Sequence, residues 1–279
     1  MKYALKFTMF LAFLAFVASC DDDDDTSDIP GLDEETVYQL ESVSEDGISA
    51  EVTFIRLDEA STEVRIELFD EPERAEPYPV YILMNTAAEG GDIVLSLGEV
   101  SGTAGESAIT ITETSDGTPI TYEDFISYDG HINVYESPGN LDSVIAQGDI
   151  GGNELTGEST EYVLNTLDVE GISGTATFYE RANGEALATI MLEGTPEGGI
   201  HPAHIHMNSA AEGGDIAFTF TPVDGTTGMS TTHVAALDDS TAFGYEDVLE
   251  YNGYINVHLS AEELSTIVAQ GDIGSNVEE

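Results

Sequence analysis

The sequence predicts an all-β protein of two tandem antiparallel domains, each a Greek-key-like sandwich or barrel, after a signal peptide and an acidic tether. Short segments rich in β-branched and aromatic residues recur about every ten residues, with Gly, Asp and Asn between them. Residues 78–153 align without a gap with residues 201–276, at a constant offset of 123. The predicted domains contain no cysteine, so they must be held together by packed cores and not by disulfides.

Residues 1–19 are predicted to be a lipoprotein signal peptide. The apolar stretch 7–17 is too short to span a bilayer, and residues 17–20 (Val-Ala-Ser-Cys) resemble a bacterial lipobox. Cys20 would carry the lipid, and residues 20–34, which include five consecutive aspartates, would form a solvated tether. We therefore expect an outer membrane lipoprotein of a Gram-negative bacterium, anchored to the membrane and exposed at the cell surface. The aspartate run resembles a surface-export signal, with a plain hydrophilic spacer as the alternative.

The charge of the chain excludes one class of partner. After removal of the signal peptide, four arginines and no lysine stand against 55 acidic residues, which gives a net charge of −51. Such a surface repels the phosphates of nucleic acids and of anionic membranes. We expect no nucleic acid partner, and an extracellular ligand or protein that the sequence does not identify. Weak calcium binding by acidic loops is a further expectation.

The internal repeat sets the domain boundaries. Besides the main alignment, residues 37–54 match residues 161–178 at an offset of 124. Domain 1, here called the first copy, is predicted to cover residues 35–152. Domain 2, the second copy, is predicted to cover residues 160–276.

Within the second copy the local patterns predict individual elements. Strands are expected at residues 174–179, 186–192, 215–221 and 253–258. A capping-box pattern, Ser260 to Glu263, predicts one helical turn over residues 261–266.

The second copy carries histidines where the first copy has other residues. His201, His204, His206 and His258 align with Tyr78, Tyr81, Leu83 and Tyr135. Because the first copy keeps the shared motifs without them, these histidines are not needed for the fold.

Three of these histidines form a candidate metal site. His204 and His206 flank Ile205 on a predicted strand, so both imidazoles face the same side. His258 ends the predicted strand 253–258. Three imidazoles on neighbouring strands are the nitrogen-rich set that copper or zinc prefers. A metal-free hydrogen-bonded network and unrelated surface positions are the two alternatives.

Three other histidines are weaker candidates. His201, next to Pro202, is a fourth ligand or a structural brace, and His233 is a less favoured ligand on another predicted strand. His131 has no other histidine in its domain. We expect it to be a strand residue with a satisfied hydrogen bond and no metal.

Three motifs of the second copy occur in a recognisable order. They are Pro-Ala-His-Ile-His (202–206), Gly-Tyr-Ile-Asn-Val-His (253–258) and Ile-Val-Ala-Gln-Gly-Asp-Ile (267–273). This order resembles the CHRD domain, an extracellular module named for chordin and common in bacterial secreted proteins. The resemblance covers nearly all of the second copy, and the first copy follows as one that has lost the histidines. It implies an extracellular β-module without a settled activity.

A second resemblance concerns the histidine strands alone. Residues 199–206 (Gly-Ile-His-Pro-Ala-His-Ile-His) are similar to the copper-binding stretch of Cu,Zn superoxide dismutases, and residues 257–258 (Val-His) resemble their later copper ligand. This similarity implies copper ligation by His204, His206 and His258 on a Greek-key β-sandwich, with His201 as a structural histidine.

The sequence departs from that enzyme family in three respects. Only His233 stands where the family has a bridging histidine and a zinc cluster. No arginine follows Arg181 to guide an anion, and superoxide would meet a surface of like charge. The similarity therefore favours a related fold and a metal site over dismutation.

The sequence thus favours a lipid-anchored binding or structural protein of two CHRD-like domains, with a copper or zinc site in domain 2, over an enzyme. The first alternative is a copper oxidoreductase related to superoxide dismutase. The second is an adhesion protein that works without a transition metal or with the help of calcium.

Overall fold

The computed structural model describes residues 34–45, 47–70 and 74–277. The predicted signal peptide, the lipidated Cys20 and all of the tether except Glu34 lie outside the described residues. Within the described part, no helix is both long enough and apolar enough to cross a membrane.

Residues 35–150 form an eight-stranded antiparallel sheet, called the first barrel. Its strands are β1 (Glu35–Ser42), β2 (Ser49–Asp58), β3 (Ser61–Phe69), β4 (Tyr78–Met84), β5 (Ile93–Val100), β6 (Glu106–Ile111), β7 (Gly130–Ser137) and β8 (Asn140–Ile150). They are hydrogen-bonded in the order β5-β4-β7-β8-β1-β2-β3-β6. The two edge strands, β5 and β6, are consecutive in the chain and joined by a short turn, so the sheet curls back on itself.

Residues 155–274 form a ten-stranded antiparallel sheet, called the second barrel. Its strands are β9 (Leu155–Thr166), β10 (Ser173–Arg181), β11 (Ala186–Glu193), β12 (Ile200–His201), β13 (Ala203–Met207), β14 (Ile216–Thr219), β15 (Val223–Asp224), β16 (Met229–Val234), β17 (Asn252–His258) and β18 (Ile267–Gly274). Their order is β12-β15-β16-β11-β10-β9-β18-β17-β13-β14. The edge strand β12 continues through Pro202 into β13, which lies beside the opposite edge. The predicted all-β class with two antiparallel barrels is therefore confirmed.

Each barrel has its own core because alternate strand residues point inward. In the first barrel Phe54 packs on Phe125, with ring centroids 4.9 Å apart and both side chains fully buried. In the second barrel the matching Phe178 is also fully buried and packs on Phe220. These cores account for the stability of a fold without disulfides.

The motifs shared by the two copies form equivalent contacts. The amides of Ala87 and Ala210 donate to the carboxylates of Asp149 and Asp272, at 2.7 Å in both barrels. These bonds tie the loop after β4 to β8 in the first barrel and the loop after β13 to β18 in the second. The repeated Ala-Ala-Glu-Gly-Gly-Asp and Gln-Gly-Asp motifs are thus explained by the fold.

One glycine of that loop is required by close approach. A Cβ atom at Gly214 would lie 2.0 Å from the carbonyl oxygen of Met207, and one at Gly91 would lie 2.2 Å from that of Met84. The loop can therefore turn tightly against the strand only if this residue has no side chain. In the second barrel this holds the Gly214 carbonyl beside β13.

Two local predictions need correction. Residues 261–266 do not form a helical turn but two successive turns, in which Glu263 donates to Ser260 and Thr266 donates to Glu263. The predicted strand 215–221 is shorter, since β14 ends at Thr219. Two short helices, α1 (Tyr122–Ile126) and α2 (Tyr245–Glu250), were not predicted, because the shared Tyr-Glu-Asp motif is too short to show a helical period.

A buried arginine joins the two barrels. Arg181, at the end of β10, is fully buried. Its Nη1 donates to Asp149 of the first barrel at 2.6 Å and to the carbonyl of Asn153. The amide of Asn183, in the same hairpin, donates to the carbonyl of Gly152 at 2.9 Å. Residues 160–276 contain one lysine or arginine, Arg181, and its side chain lies in the contact between the two barrels.

Candidate metal centre

The three histidines favoured by the sequence lie together on the outer face of the second barrel. β13 and β17 are paired antiparallel, with His204 opposite Asn256 and His206 opposite Tyr254. Ile205 and Val257 point into the core and are fully buried, so His204, His206 and His258 occupy the opposite face. One ligand nitrogen from each of the three lies within 4.8 Å of the others.

Hydrogen bonds fix the tautomers of two of these rings. The Nδ1 of His206 lies 3.0 Å from the carbonyl of Gly214, and the Nδ1 of His258 lies 2.6 Å from that of Leu264. Because a carbonyl only accepts, each Nδ1 carries the proton and each Nε2 keeps its lone pair. Carbonyl bonds of this kind orient metal-binding imidazoles in proteins.

The nitrogens that remain are buried and have no partner. They are Nδ1 of His204, Nε2 of His206 and Nε2 of His258. A buried polar atom without a hydrogen bond costs about 1–3 kcal/mol. One nitrogen of each ring lies within 4.8 Å of the others, and the nitrogens without a hydrogen-bond partner are one Nδ1 and two Nε2 atoms. At metal–nitrogen distances of about 2.0–2.1 Å these donors suit copper or zinc.

Burial favours the neutral form of His204 and His258, which is the form that metal binding requires. Burial lowers the pKa of His204 to about 4, helped by the nearby His258 and His206 and opposed by Asp238. Burial also lowers the pKa of His258, against the opposing effect of its bond to Leu264. At neutral pH both imidazoles can therefore donate a lone pair without first losing a proton.

Aromatic packing holds the rings in place. The ring of His206 stacks on Tyr254, with centroids 5.0 Å apart and an interplanar angle of 16°. His204 and His258 pack with centroids 5.0 Å apart. The exposed fractions of the three histidines are only 5–9%. The site is thus preformed and almost closed to solvent.

The chain after His258 departs from the shared scaffold at this site. In the first barrel β7 and β8 continue to a tight hairpin, in which Ser137 pairs with Asn140. In the second barrel the last pair of β17 and β18 is His258 with Ile267, and residues 259–266 connect the two strands. The intervening turns bring the Leu264 carbonyl to the His258 ring. The copy with the histidines therefore also has the loop that orients one of them.

The remaining sequence candidates lie outside this group of three. The Nδ1 of His201 donates to the backbone carbonyl of His258 at 3.2 Å, so this ring supports the backbone of a ligand residue. His233, on β16, lies 3.5 Å from Glu185 and 3.9 Å from Glu89 of the first barrel. His131 is buried and its Nδ1 donates to the carbonyl of Asn85 at 2.9 Å, so the expected hydrogen bond is confirmed.

Sequence reasoning did not identify three groups that support the site. Two are the backbone carbonyls of Gly214 and Leu264, which leave no trace in a side-chain motif. The third is Asp238, whose carboxylate accepts from Thr219 and places a negative charge near His204. Asp238 aligns with Ser115, so the same comparison of copies that revealed the histidines could have revealed this change.

In the first barrel, tyrosines occupy two of the three matching positions and Leu83 occupies the third. Tyr81 and Tyr135 pack edge to face, with centroids 5.8 Å apart, and Asn133 donates to the Tyr135 hydroxyl. The same two strands can therefore close this face with aromatic packing. The histidines of the second barrel are not a requirement of the architecture.

The pKa of His204 predicts how the stability of the metal-free protein depends on pH. The unfolded state binds this proton below about pH 6.5, while the folded state resists it until about pH 4. As the pH is lowered from about 6.5 to about 4, the titration of His204 alone should therefore reduce the free energy of unfolding by an amount on the order of 2–3 kcal/mol. Denaturant unfolding with a chelator at several pH values, for the protein and for His204→Tyr, measures this. Identical pH slopes for both proteins would contradict the prediction.

Comparisons with protein-family models, with curated proteins and with solved structures find no match to this chain.

Proposed function

We propose that the protein binds one transition metal ion, copper or zinc, through Nδ1 of His204 and the Nε2 atoms of His206 and His258. The convergence of three buried, unpartnered imidazole nitrogens carries this proposal. Without a ligand each unpartnered nitrogen destabilises the folded state, whereas in the first barrel Tyr81 and Tyr135 pack against each other at two of the matching positions.

The neighbouring groups support the same conclusion. Two of the rings are held by carbonyls in the tautomer that frees Nε2. Asp238 supplies a negative charge near His204 that favours a bound cation. The sequence left a metal-free hydrogen-bonded network open as an alternative to a metal site. Such a network would pair these nitrogens with one another or with other groups. Among the described residues they have no such partner.

We place this site in a lipid-anchored protein of the bacterial cell surface, with two CHRD-like modules and a binding or structural role. The lipobox, the aspartate run and the net charge support this setting. The first module would then present the second one away from the membrane.

The second candidate function is a copper oxidoreductase. Three nitrogen ligands leave a coordination position open, and an open position is what a catalytic metal site needs. The charge of the chain opposes superoxide as its substrate, because a like-charged surface slows the approach of an anion.

Metal titration of the full chain tests the proposal. We expect one equivalent of Cu(II) or Zn(II) to bind tightly in a calcium-containing buffer, which occupies the surface carboxylates. Electron paramagnetic resonance of the copper form should show nitrogen ligands. Binding without histidine nitrogens, or no binding above that of the carboxylates, would refute it. Rapid consumption of superoxide by the copper form would favour the second candidate.

A further inference from the structure

On one face of the second barrel, nine adjacent outward positions hold no carboxylate, lysine or arginine, and Glu161 on the neighbouring strand β9 marks one edge of this set. The outward positions of β10, β11 and β16 form three cross-strand rows. These rows are Thr175-Met191-Met229, Thr177-Thr189-Thr231 and Tyr179-Leu187-His233. We call these nine residues the neutral face. None of the nine holds a carboxylate, although the chain has 55 acidic residues.

The first barrel provides an internal comparison. Its matching rows are Glu51-Glu67-Glu106, Thr53-Arg65-Ala108 and Ile55-Glu63-Thr110. Five of these nine residues are charged, and the same strands carry them in the same register. The fold therefore tolerates charge on this face, so its absence from the second barrel is not a requirement of the core.

The neutral face also exposes apolar side chains. The exposed fractions of Met191 and Met229 are 54% and 43%, and that of the adjoining Val163 is 59%. A groove of about 400 Å³ lies between them, with Glu193 at its rim. In the first barrel a groove in the same place is lined by Glu51, Glu67 and Glu106. Exposed methionines form adaptable contact surfaces.

We propose that the neutral face is a contact surface for a second copy of this chain. A cationic partner would be attracted to the acidic surface elsewhere, and a neutral face would add no electrostatic attraction for it. Another strongly acidic molecule, in contrast, can approach closely only where neither surface carries charge. Two neutral faces related by a two-fold axis bring no carboxylate of their own into contact, since Glu161 and Glu193 lie at the edges of each face.

The extent of the face sets the strength of the contact. Three strands about 4.8 Å apart, each covering five residues of about 3.3 Å, span roughly 10 by 17 Å. This area is well below the ~800 Å² per partner of stable complexes. The dimer should therefore be weak, and its population should increase with salt, because salt screens the repulsion between the remaining surfaces.

Sedimentation equilibrium of the full chain from micromolar to millimolar concentration, at low and high salt, tests the proposal. We expect a dimer at the upper concentrations that increases with salt. The variant Met191→Glu with Met229→Glu, which introduces the residues of the first barrel, should stay monomeric. Its circular dichroism and melting temperature should match those of the parent, since the first barrel accommodates the same residues.

A charge-matched control separates this contact from general repulsion. Val37→Glu with Met84→Glu replaces two exposed apolar residues of the first barrel and adds the same charge. This variant should dimerise like the parent. A chain that is monomeric under all conditions would overturn the proposal. So would a dimer that survives the Met191 and Met229 substitutions, or one that is weakened equally by the control. The proposal is independent of metal binding.

Discussion

Replacing His204, His206 and His258 with Tyr, Leu and Tyr should abolish tight binding of copper or zinc and leave the fold intact. These are the residues of the first copy at the matching positions. Its Tyr81 and Tyr135 pack together on the same pair of strands, so the substituted residues have a known way to fill the space. Calorimetric titration of parent and variant measures the loss.

The same variant should change stability in a way that separates a metal site from a structural cluster. A metal present at a hundred times its dissociation constant stabilises the folded parent by about 2.7 kcal/mol. The variant should not respond to metal. Without metal it should be at least as stable as the parent, because three buried, unpartnered nitrogens are removed.

His131→Tyr is the matched control, since it removes a buried histidine of the first barrel and should leave metal binding unchanged. If the triple variant still binds one equivalent with unchanged affinity, the assignment of the site is wrong. If it is strongly destabilised without metal, the histidines have a structural role and not a ligand role.

Substituting Asp149 with Asn should destabilise the protein by about 3–5 kcal/mol, the usual cost of leaving a buried charge without its partner. The change keeps the oxygen that accepts from Ala87 but removes the charge that faces the fully buried Arg181. The Nε and Nη2 atoms of Arg181 already lack partners, so this guanidinium cannot turn to another acceptor without moving. Chemical denaturation measures the loss.

Two further variants distinguish the ion pair from other effects at this position. Asp272→Asn makes the same change where the carboxylate also accepts from a loop amide. Among the described residues Asp272 forms no ion pair, so this control should cost much less. Adding Arg181→Leu, the residue at the matching position 57, to Asp149→Asn should restore part of the lost stability. Additive effects of the two substitutions would show that the pair is not coupled.

The candidate site was largely predictable because it depends on strand alternation. A period of two residues places His204 and His206 on one face, and the duplicated sequence shows that His258 varies together with them. The hydrogen bonds that select Nε2 were not predictable. They come from the carbonyls of Gly214 and Leu264, and every residue has a carbonyl whatever its type.

The turn after His258 shows why a local pattern can fail. Ser260 and Glu263 have the spacing of a capping box, which by itself favours a helical turn. The chain must instead rejoin β18 at Ile267 and bring the Leu264 carbonyl to the His258 ring. Tertiary contacts outweigh a preference of about 1 kcal/mol.

The sequence by itself determined the all-β class and the histidines that distinguish one copy from the other, because strand periodicity and internal duplication are properties of the linear chain. Only the tertiary structure decided how the three imidazoles converge, which nitrogen each one offers, and where Arg181 lies. It also decided that the uncharged positions of three separate strands form one face. These outcomes depend on pairings between residues far apart in the chain, and such distances are set only when the sheets close.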